Sequence, residues 1–344
     1  MKASPSIYMK AGFMNYFDLS DKQAAGQRIL AGFDGLEFND SVKFLINTLK
    51  IGGLILFKRN IESPVQVKTL CDRAQDYAKI CGQPPLFIAI DQEGGTVARL
   101  PLPFTQLPGA SEISSVEDAA AQARVTASEL TQIGVNMNFA PVMDIAPKSI
   151  PSVMAKRSFG ATPSRVSELG TAVIKNLQAS TIMAVAKHFP GIGRTTLDSH
   201  LDRPIFSTSL KELESFDLLP FKAAISSEVS GVMLSHILYD RVDSTWPASL
   251  SPFIAGHLLR KELGYRGLVM TDDLDMGAIK KHYDLETIVR QVSKAQIDLM
   301  LICHEGPDIE SAFRLFLKQR EKGESLESFN ACLDRIMTAK SKYL

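Results

Sequence analysis

The sequence predicts an α/β protein folded as one (β/α)8 TIM-type barrel, or a close variant that opens with a helix. Three observations carry this. Eight short apolar runs recur at intervals of about 20–50 residues, amphipathic stretches of helical period fill the gaps, and several of the runs end in polar or ionisable residues. The runs are Arg28–Phe33, Gly53–Phe57, Leu86–Asp91, Val135–Ala140, Ile182–His188, Gly231–His236, Gly267–Asp272 and Asp298–Cys303. Their side chains do not alternate between apolar and polar, which is the pattern of strands covered on both faces. Between them, Glu117–Ile133 reads as a helix that starts on the acidic pair Glu117 and Asp118 and stops at Gly134. Lys211–Ser226 and Ser249–Leu263 read as helices too, the second stopped by Gly264. An open doubly wound sheet is the competing architecture. It usually offers a glycine-rich phosphate turn, and neither GxGxxG nor GxxxxGK[ST] occurs. No linker or low-complexity segment divides the chain, so residues 1–344 are expected to form one catalytic domain with 1–20 as an N-terminal extension.

Composition narrows the function. The 344 residues include 38 Lys+Arg and 38 Asp+Glu, a formal net charge of zero, so neither nucleic acid nor an anionic membrane is expected as the main partner. Hydrophobic residues are 45% and charged residues 22%, the proportions of a globular protein and not of a disordered one. The four cysteines, Cys71, Cys81, Cys303 and Cys332, lie far apart, which fits reduced thiols in a reducing compartment. No signal peptide is read at the N-terminus and no apolar run is long enough to span a membrane, so a cytoplasmic enzyme is expected. No cofactor motif is present, and oligomeric state is not legible.

In a barrel the strand C-terminal ends and the loops after them form the active-site face. Three segments place chemistry there. The first runs from Lys187 to His200: a strand delivers Lys187 and His188, a glycine-rich loop follows, and Asp198 precedes His200 by two residues. A carboxylate at that spacing can accept from one ring nitrogen and raise the basicity of the other, suiting the imidazole to move protons near neutral pH. A lone histidine is otherwise most often structural. The second runs from Leu258 to Met276 and sets Asp272 at a strand end, followed by Asp273 and Asp275. A carboxylate there can be a nucleophile, a metal ligand or a structural cap; no histidine cluster of metal-ligand spacing accompanies it. The third, Asp91-Gln-Glu-Gly-Gly-Thr-Val-Ala-Arg99, offers an acid and a later arginine for polyol hydroxyls and is weak alone.

Together these segments resemble glycoside hydrolase family 3, in its single-domain β-N-acetylglucosaminidase branch. The resemblance runs from about Gly26 to Cys303 and rests on GGLILFKRNI (Gly52–Ile61), DQEGGTVARL (Asp91–Leu100), NFAPVMDI (Asn138–Ile145), KRSFG (Lys156–Gly160), Lys187–His200, WPASLS (Trp246–Ser251) and the long stretch Leu258–Asp275. It implies Asp272 as nucleophile, His200 as general acid/base with Asp198 as its partner, and sugar contacts at Asp91, Arg99, Arg157, Lys187 and His188. It further implies a retaining exo-β-N-acetylglucosaminidase without a metal or other cofactor. Its substrate would be a small GlcNAc β-glycoside, either a muropeptide fragment in peptidoglycan recycling or a chitin-derived disaccharide. A phosphorylase using the same covalent intermediate and a catalytically silent sugar-binding barrel are the alternatives.

The chain departs from the branch pattern at three positions. A usual histidine is Ile192, and Arg194 replaces an acidic residue that often follows. Arg194 reads either as drift in a surface loop or as a positive charge on the leaving-group side, suited to an acidic aglycone or to phosphate. Gln296 stands where glycine is usual before the last strand and reads as a packing variation.

Overall fold

The computed structural model describes residues 16–196, 204–323 and 326–344. Eight parallel strands close into a barrel in chain order: β1 (Ile29–Ala31), β2 (Gly53–Leu56), β3 (Phe87–Ile90), β4 (Met137–Asn138), β5 (Met183–Phe189), β6 (Gly231–Leu234), β7 (Leu268–Asp273) and β8 (Leu299–Ile302). Each lies in one of the eight apolar runs, give or take one residue at an end. The ring closes where Ile29, Leu30 and Ala31 pair with Met300, Leu301 and Ile302. A helix, α1 (Asp21–Gly26), precedes β1, so the chain takes the variant that opens with a helix.

The helices α2 (Asp40–Asn47), α3 (Pro64–Ile80), α4 (Val116–Gln132), α5 (Pro163–Ala179), α6 (Leu210–Glu212), α7 (Leu218–Ser226), α8 (Gly277–Lys280), α9 (Leu285–Lys294), α10 (Pro307–Glu321) and α11 (Leu326–Tyr343) follow. Their starts are built as the sequence suggests. Ser115 caps α4 by accepting from the Asp118 amide at 3.1 Å, and the Asp118 carboxylate accepts from the Ser115 amide at 3.0 Å. The other two predicted helices are not regular α-helices. A π turn, Leu213–Asp217, joins α6 to α7, and Pro252–Glu262 is π-helical after a 3-10 turn at Ala248–Leu250. An apolar stripe over so few turns does not distinguish a 3.6-residue period from a slightly wider one.

Strand side chains fill two layers. Leu30, Phe87, Met137, Met183, Met270 and Leu299 pack inside the barrel; Ile29, Leu54, Ile88, Ala184, Val232 and Met300 face the helices. The terminal helix α11 closes the N-terminal floor, where Ile336 joins the inner layer. The floor is therefore sealed by apolar packing, and the polar strand ends are left to the opposite rim.

Candidate active site

The rim is organised around a buried lysine. Lys187, near the end of β5, is 2% exposed, and its ammonium donates to Asp91 Oδ1 at 2.7 Å and meets Glu93 Oε1 at 2.6 Å. Asp91 follows β3 directly and accepts from Arg99 Nη2 through its other oxygen at 3.2 Å. Arg157 grips Glu93 with two parallel bonds, Nε to Oε2 at 2.9 Å and Nη2 to Oε1 at 2.7 Å. Two carboxylates thus share three cations. Burial would raise the Asp91 carboxyl, but Lys187, Arg99 and Arg157 pull it down to about 2. Burial disfavours the Lys187 ammonium, yet Asp91 and Glu93 raise its pKa overall and keep it charged. The result is a preorganised, largely buried set of donors, suited to hold hydroxyl and carbonyl oxygens of a sugar.

His188 is turned to a different partner. Its Nδ1–H donates to Asp144 Oδ2 at 2.7 Å, and Asp144 also accepts the backbone amides of His188 at 3.2 Å and Ile192 at 2.8 Å. Asp144, fully buried, therefore fixes both the ring and the start of the loop after β5. Two glycines make that turn possible. Gly191 has φ +123°, and a side chain on Gly193 would strike the Ile145 carbonyl.

Asp272 occupies the predicted position, the penultimate residue of β7. Its Oδ1 accepts from the Asp273 amide at 2.8 Å. Burial would raise its carboxyl; the electrostatic influence of His188, His236 and Lys187 and the Asp273 amide outweigh this and hold it below the ordinary value. The neighbouring Asp273 behaves oppositely. Burial, Asp275 and Asp272 push it up to about 6, although Asp273 Oδ1 accepts from the amides of Asp275 and Cys303, both at 3.1 Å. Asp273, Asp275 and His304 are a group among the described residues whose donors could hold a cation. Lys280 already supplies a positive charge to Asp275 at 2.8 Å.

The structure brings together Asp91, Arg99 and Lys187 directly, Arg157 through Glu93, and His188 and Lys187 around Asp272. Asp198 and His200 lie outside the described residues. Glu93 and Asp144 were not singled out as site residues. Both sit inside quoted motifs, but their role depends on Arg157, 64 residues from Glu93, and His188, 44 residues from Asp144. Arg194 directs its guanidinium to an acid of the protein itself. It donates to both oxygens of buried Asp217, at 3.1 and 2.5 Å, and to Thr208 Oγ1 at 3.2 Å, and it lies 4.7 Å from the Phe206 ring centroid. Ile192 is buried in the core and not part of a mobile surface. Gln296 is a backbone matter and not a packing one. It has φ +55° in the turn that ends α9, where the Ile297 amide reaches back to the Val292 carbonyl.

A closed parallel barrel with carboxylates and cations gathered on its C-terminal rim has the layout of a barrel enzyme, whose active site lies on that face. Comparison with known proteins gives the family: the profile of the glycosyl hydrolase family 3 N-terminal domain matches residues 19–339, and the chain belongs to that family. It is thus a glycoside hydrolase, of the β-hexosaminidase type. A β-hexosaminidase of Alkalilimnicola ehrlichii is 35% identical over 295 residues, 83% of each chain. A family 3 β-N-acetylglucosaminidase structure from Paenibacillus sp. superposes with a TM-score of 0.91 at 38% identity, covering 94% of this chain and 63% of that one, so this chain spans less than two thirds of its length. NagZ from Neisseria gonorrhoeae, solved with N-trifluoroacetyl-D-glucosamine, superposes with a TM-score of 0.72 at 27% identity, over 90% of this chain and 98% of that one. Among the described residues, no helix is long and apolar enough to cross a membrane.

Proposed function

We propose that the protein is a retaining exo-β-N-acetylglucosaminidase acting on terminal β-linked GlcNAc. Asp272 attacks the anomeric carbon as the bond to the leaving oxygen breaks, forming a covalent glycosyl-enzyme. His200, oriented by Asp198, protonates the departing oxygen and then takes a proton from the water that releases the sugar. The observation that supports this reading best is the depressed, ionised state of Asp272 beside the Asp91–Lys187–Glu93–Arg157 cluster. A nucleophile must be charged, and the positive groups near Asp272 favour its charged form, while Asp91 and Glu93 neutralise the cations that would otherwise oppose positive character developing on the ring. Arg99, Arg157, Lys187 and His188 hold the sugar's oxygens. Residues 1–344 act as one catalytic domain, with 1–20 as an extension, in the cytoplasm.

Peptidoglycan-derived muropeptides are the proposed substrates, consistent with the β-hexosaminidase and NagZ names of the relatives. Hydrolysis is favoured over phosphorolysis because the charge of Arg194, the residue suited to phosphate, is taken up by Asp217. Turnover of β-glycosides of GlcNAc, glucose and xylose, in phosphate and in a phosphate-free buffer, tests both points: the GlcNAc glycoside alone should turn over well, at one rate in the two buffers. A fluorinated glycoside should label Asp272, and Asp272→Asn should lower turnover ~10⁴-fold or more, the order expected when a nucleophile is lost. Labelling of Asp273 instead would reverse the assignment.

A further inference from the structure

His236 stands two residues beyond β6, is 1% exposed, and has no place in the mechanism above. Its Nε2 lies 2.8 Å from the Asp273 carbonyl oxygen, and its Nδ1 lies 2.7 Å from Ser249 Oγ. A carbonyl only accepts, so Nε2 carries the hydrogen, and in the neutral ring Nδ1 accepts from the serine hydroxyl. Ser249 is itself fixed: it is fully buried, and its amide donates to the Ser235 carbonyl at 2.9 Å. The ring is thereby held in one tautomer and one orientation by groups from two different elements, the end of β7 and the 3-10 turn at Ala248–Leu250.

The carbonyl it holds belongs to the residue that orients Asp272. The Asp273 amide donates to Asp272 Oδ1, while Asp273 Oδ1 accepts from the amides of Asp275 and Cys303. The Asp273 carbonyl accepts from the Met276 amide at 3.2 Å as well as from His236. This tethering falls where β7 loses regular pairing with β8, since the register shifts between Met270 and Asp273. A regular ladder would hold the backbone at the nucleophile by itself; at an irregular strand end other donors must do it.

We propose that His236, locked by Ser249, is the positioning residue for the nucleophile. Its Nε2–H fixes the Asp273 residue, so that the Asp273 amide stays on Asp272 Oδ1 and Oδ2 is the oxygen presented to the anomeric carbon. The inference rests on the reading of Asp272 as nucleophile. Misplacing a reacting group by about 1 Å costs up to about 10²-fold in rate while leaving ground-state contacts in place. The sugar contacts at Asp91, Arg99, Lys187 and Arg157 do not pass through His236, so binding should survive its loss.

The test uses the full chain and three variants, His236→Ala, His236→Gln and Ser249→Ala, with thermal melting to verify folding. Two quantities are read: the rate of covalent trapping by a fluorinated glycoside, and kcat and KM on an aryl GlcNAc β-glycoside. His236→Ala should lower trapping and kcat together by about 10–10²-fold with KM within about twofold. His236→Gln, whose amide can still donate to the carbonyl, should recover most of that loss, which a purely space-filling role would not explain. Ser249→Ala should show a smaller loss of the same pattern. Wild-type trapping in a folded His236→Ala overturns the proposal; should that variant not fold, wild-type trapping in Ser249→Ala does so. No labelling of Asp272 in the wild type would instead defeat the nucleophile reading, so the two failures are distinct.

Discussion

The barrel buries a lysine at each mouth, and the two are opposites. Lys187 at the C-terminal rim has two carboxylates on its ammonium, and they raise its pKa although burial opposes them. Lys340 at the N-terminal floor is fully buried and has none among the described residues. It donates to Gln27 Oε1 at 2.6 Å and the Gly52 carbonyl at 2.8 Å, lies 4.9 Å from the Phe87 ring centroid, and burial pushes its amine well below the ordinary lysine value. The rim concentrates charge in a largely buried cluster, where weak screening by water strengthens its field. The floor needs only closure, and a lysine there contributes its long apolar stem and two hydrogen bonds. Residue type and burial are the same; partners decide which lysine belongs to function.

The largest effect should come from breaking the rim. Lys187→Met leaves Asp91 and Glu93 close together with one cation fewer, and removal of one partner from a buried ion pair costs about 3–5 kcal/mol. kcat/KM should fall at least about 10²-fold with loss of sugar positioning. The acid limb sharpens the point. A carboxyl held at about 2 in the fold adds stability above its ordinary value and loses it as pH falls toward 2. Acid denaturation of wild type should therefore be steeper below pH 4 than that of Asp91→Asn.

Next comes Arg194→Ala. Buried Asp217 would lose both bonds from its guanidinium partner, and burial already raises its carboxyl. A stability loss of about 2–3 kcal/mol is expected by urea denaturation. The ratio of kcat/KM for a muropeptide to that for a neutral aryl glycoside should stay as in wild type. A selective loss on the muropeptide would return Arg194 to the aglycone role suggested by its charge.

The floor and the rim also differ in how far the sequence reveals them. The strands were legible because burial on both faces leaves an unbroken apolar run, and Asp91, Lys187, His188 and Asp272 were legible because polar residues closing such runs stand out. Glu93 did not stand out, and although His236 closes one such run and Asp144 follows another, their roles were not legible, because each of the three takes its meaning from a partner far along the chain: Arg157 for Glu93, His188 for Asp144 and the Asp273 carbonyl for His236. Lys340 was invisible for a related reason. In the segment Lys340-Ser-Lys-Tyr-Leu344 it looks like solvent-exposed charge, and only the closure of the barrel makes it interior. The π-helical geometry of Pro252–Glu262 leaves no mark on composition at all.

A smaller change is expected from Lys340→Met. The substitution leaves two acceptors without a donor but removes an amine that burial disfavours, and the two effects oppose each other. Stability at pH 7 should stay within about 1.5 kcal/mol of wild type, and kcat/KM should not move. The pH slope is the sharper readout. A lysine depressed in the fold binds fewer protons there than in the unfolded chain, so wild-type stability should rise with pH up to about 10.4. Denaturation between pH 7 and 10 should show that rise in wild type and a flatter profile in Lys340→Met. Equal slopes would mean Lys340 stays charged like Lys187, and the contrast between the two mouths would disappear.

The smallest effect tests the floor where charge plays no part. Gln296 takes φ +55° in the turn between α9 and β8, a conformation that costs a residue with a Cβ roughly 1–2 kcal/mol and costs glycine little. Against this, glycine gives the unfolded chain more freedom, worth roughly 0.4–1 kcal/mol. The strain term is the larger, and the Gln296 hydrogen bonds shown by the structure are made by its backbone, so glycine keeps them. Gln296→Gly should therefore stabilise the protein by about 0.5–1 kcal/mol in urea denaturation and leave kcat and KM unchanged. Destabilisation by a similar amount would mean that the glutamine side chain packs productively and that the position is a packing site after all.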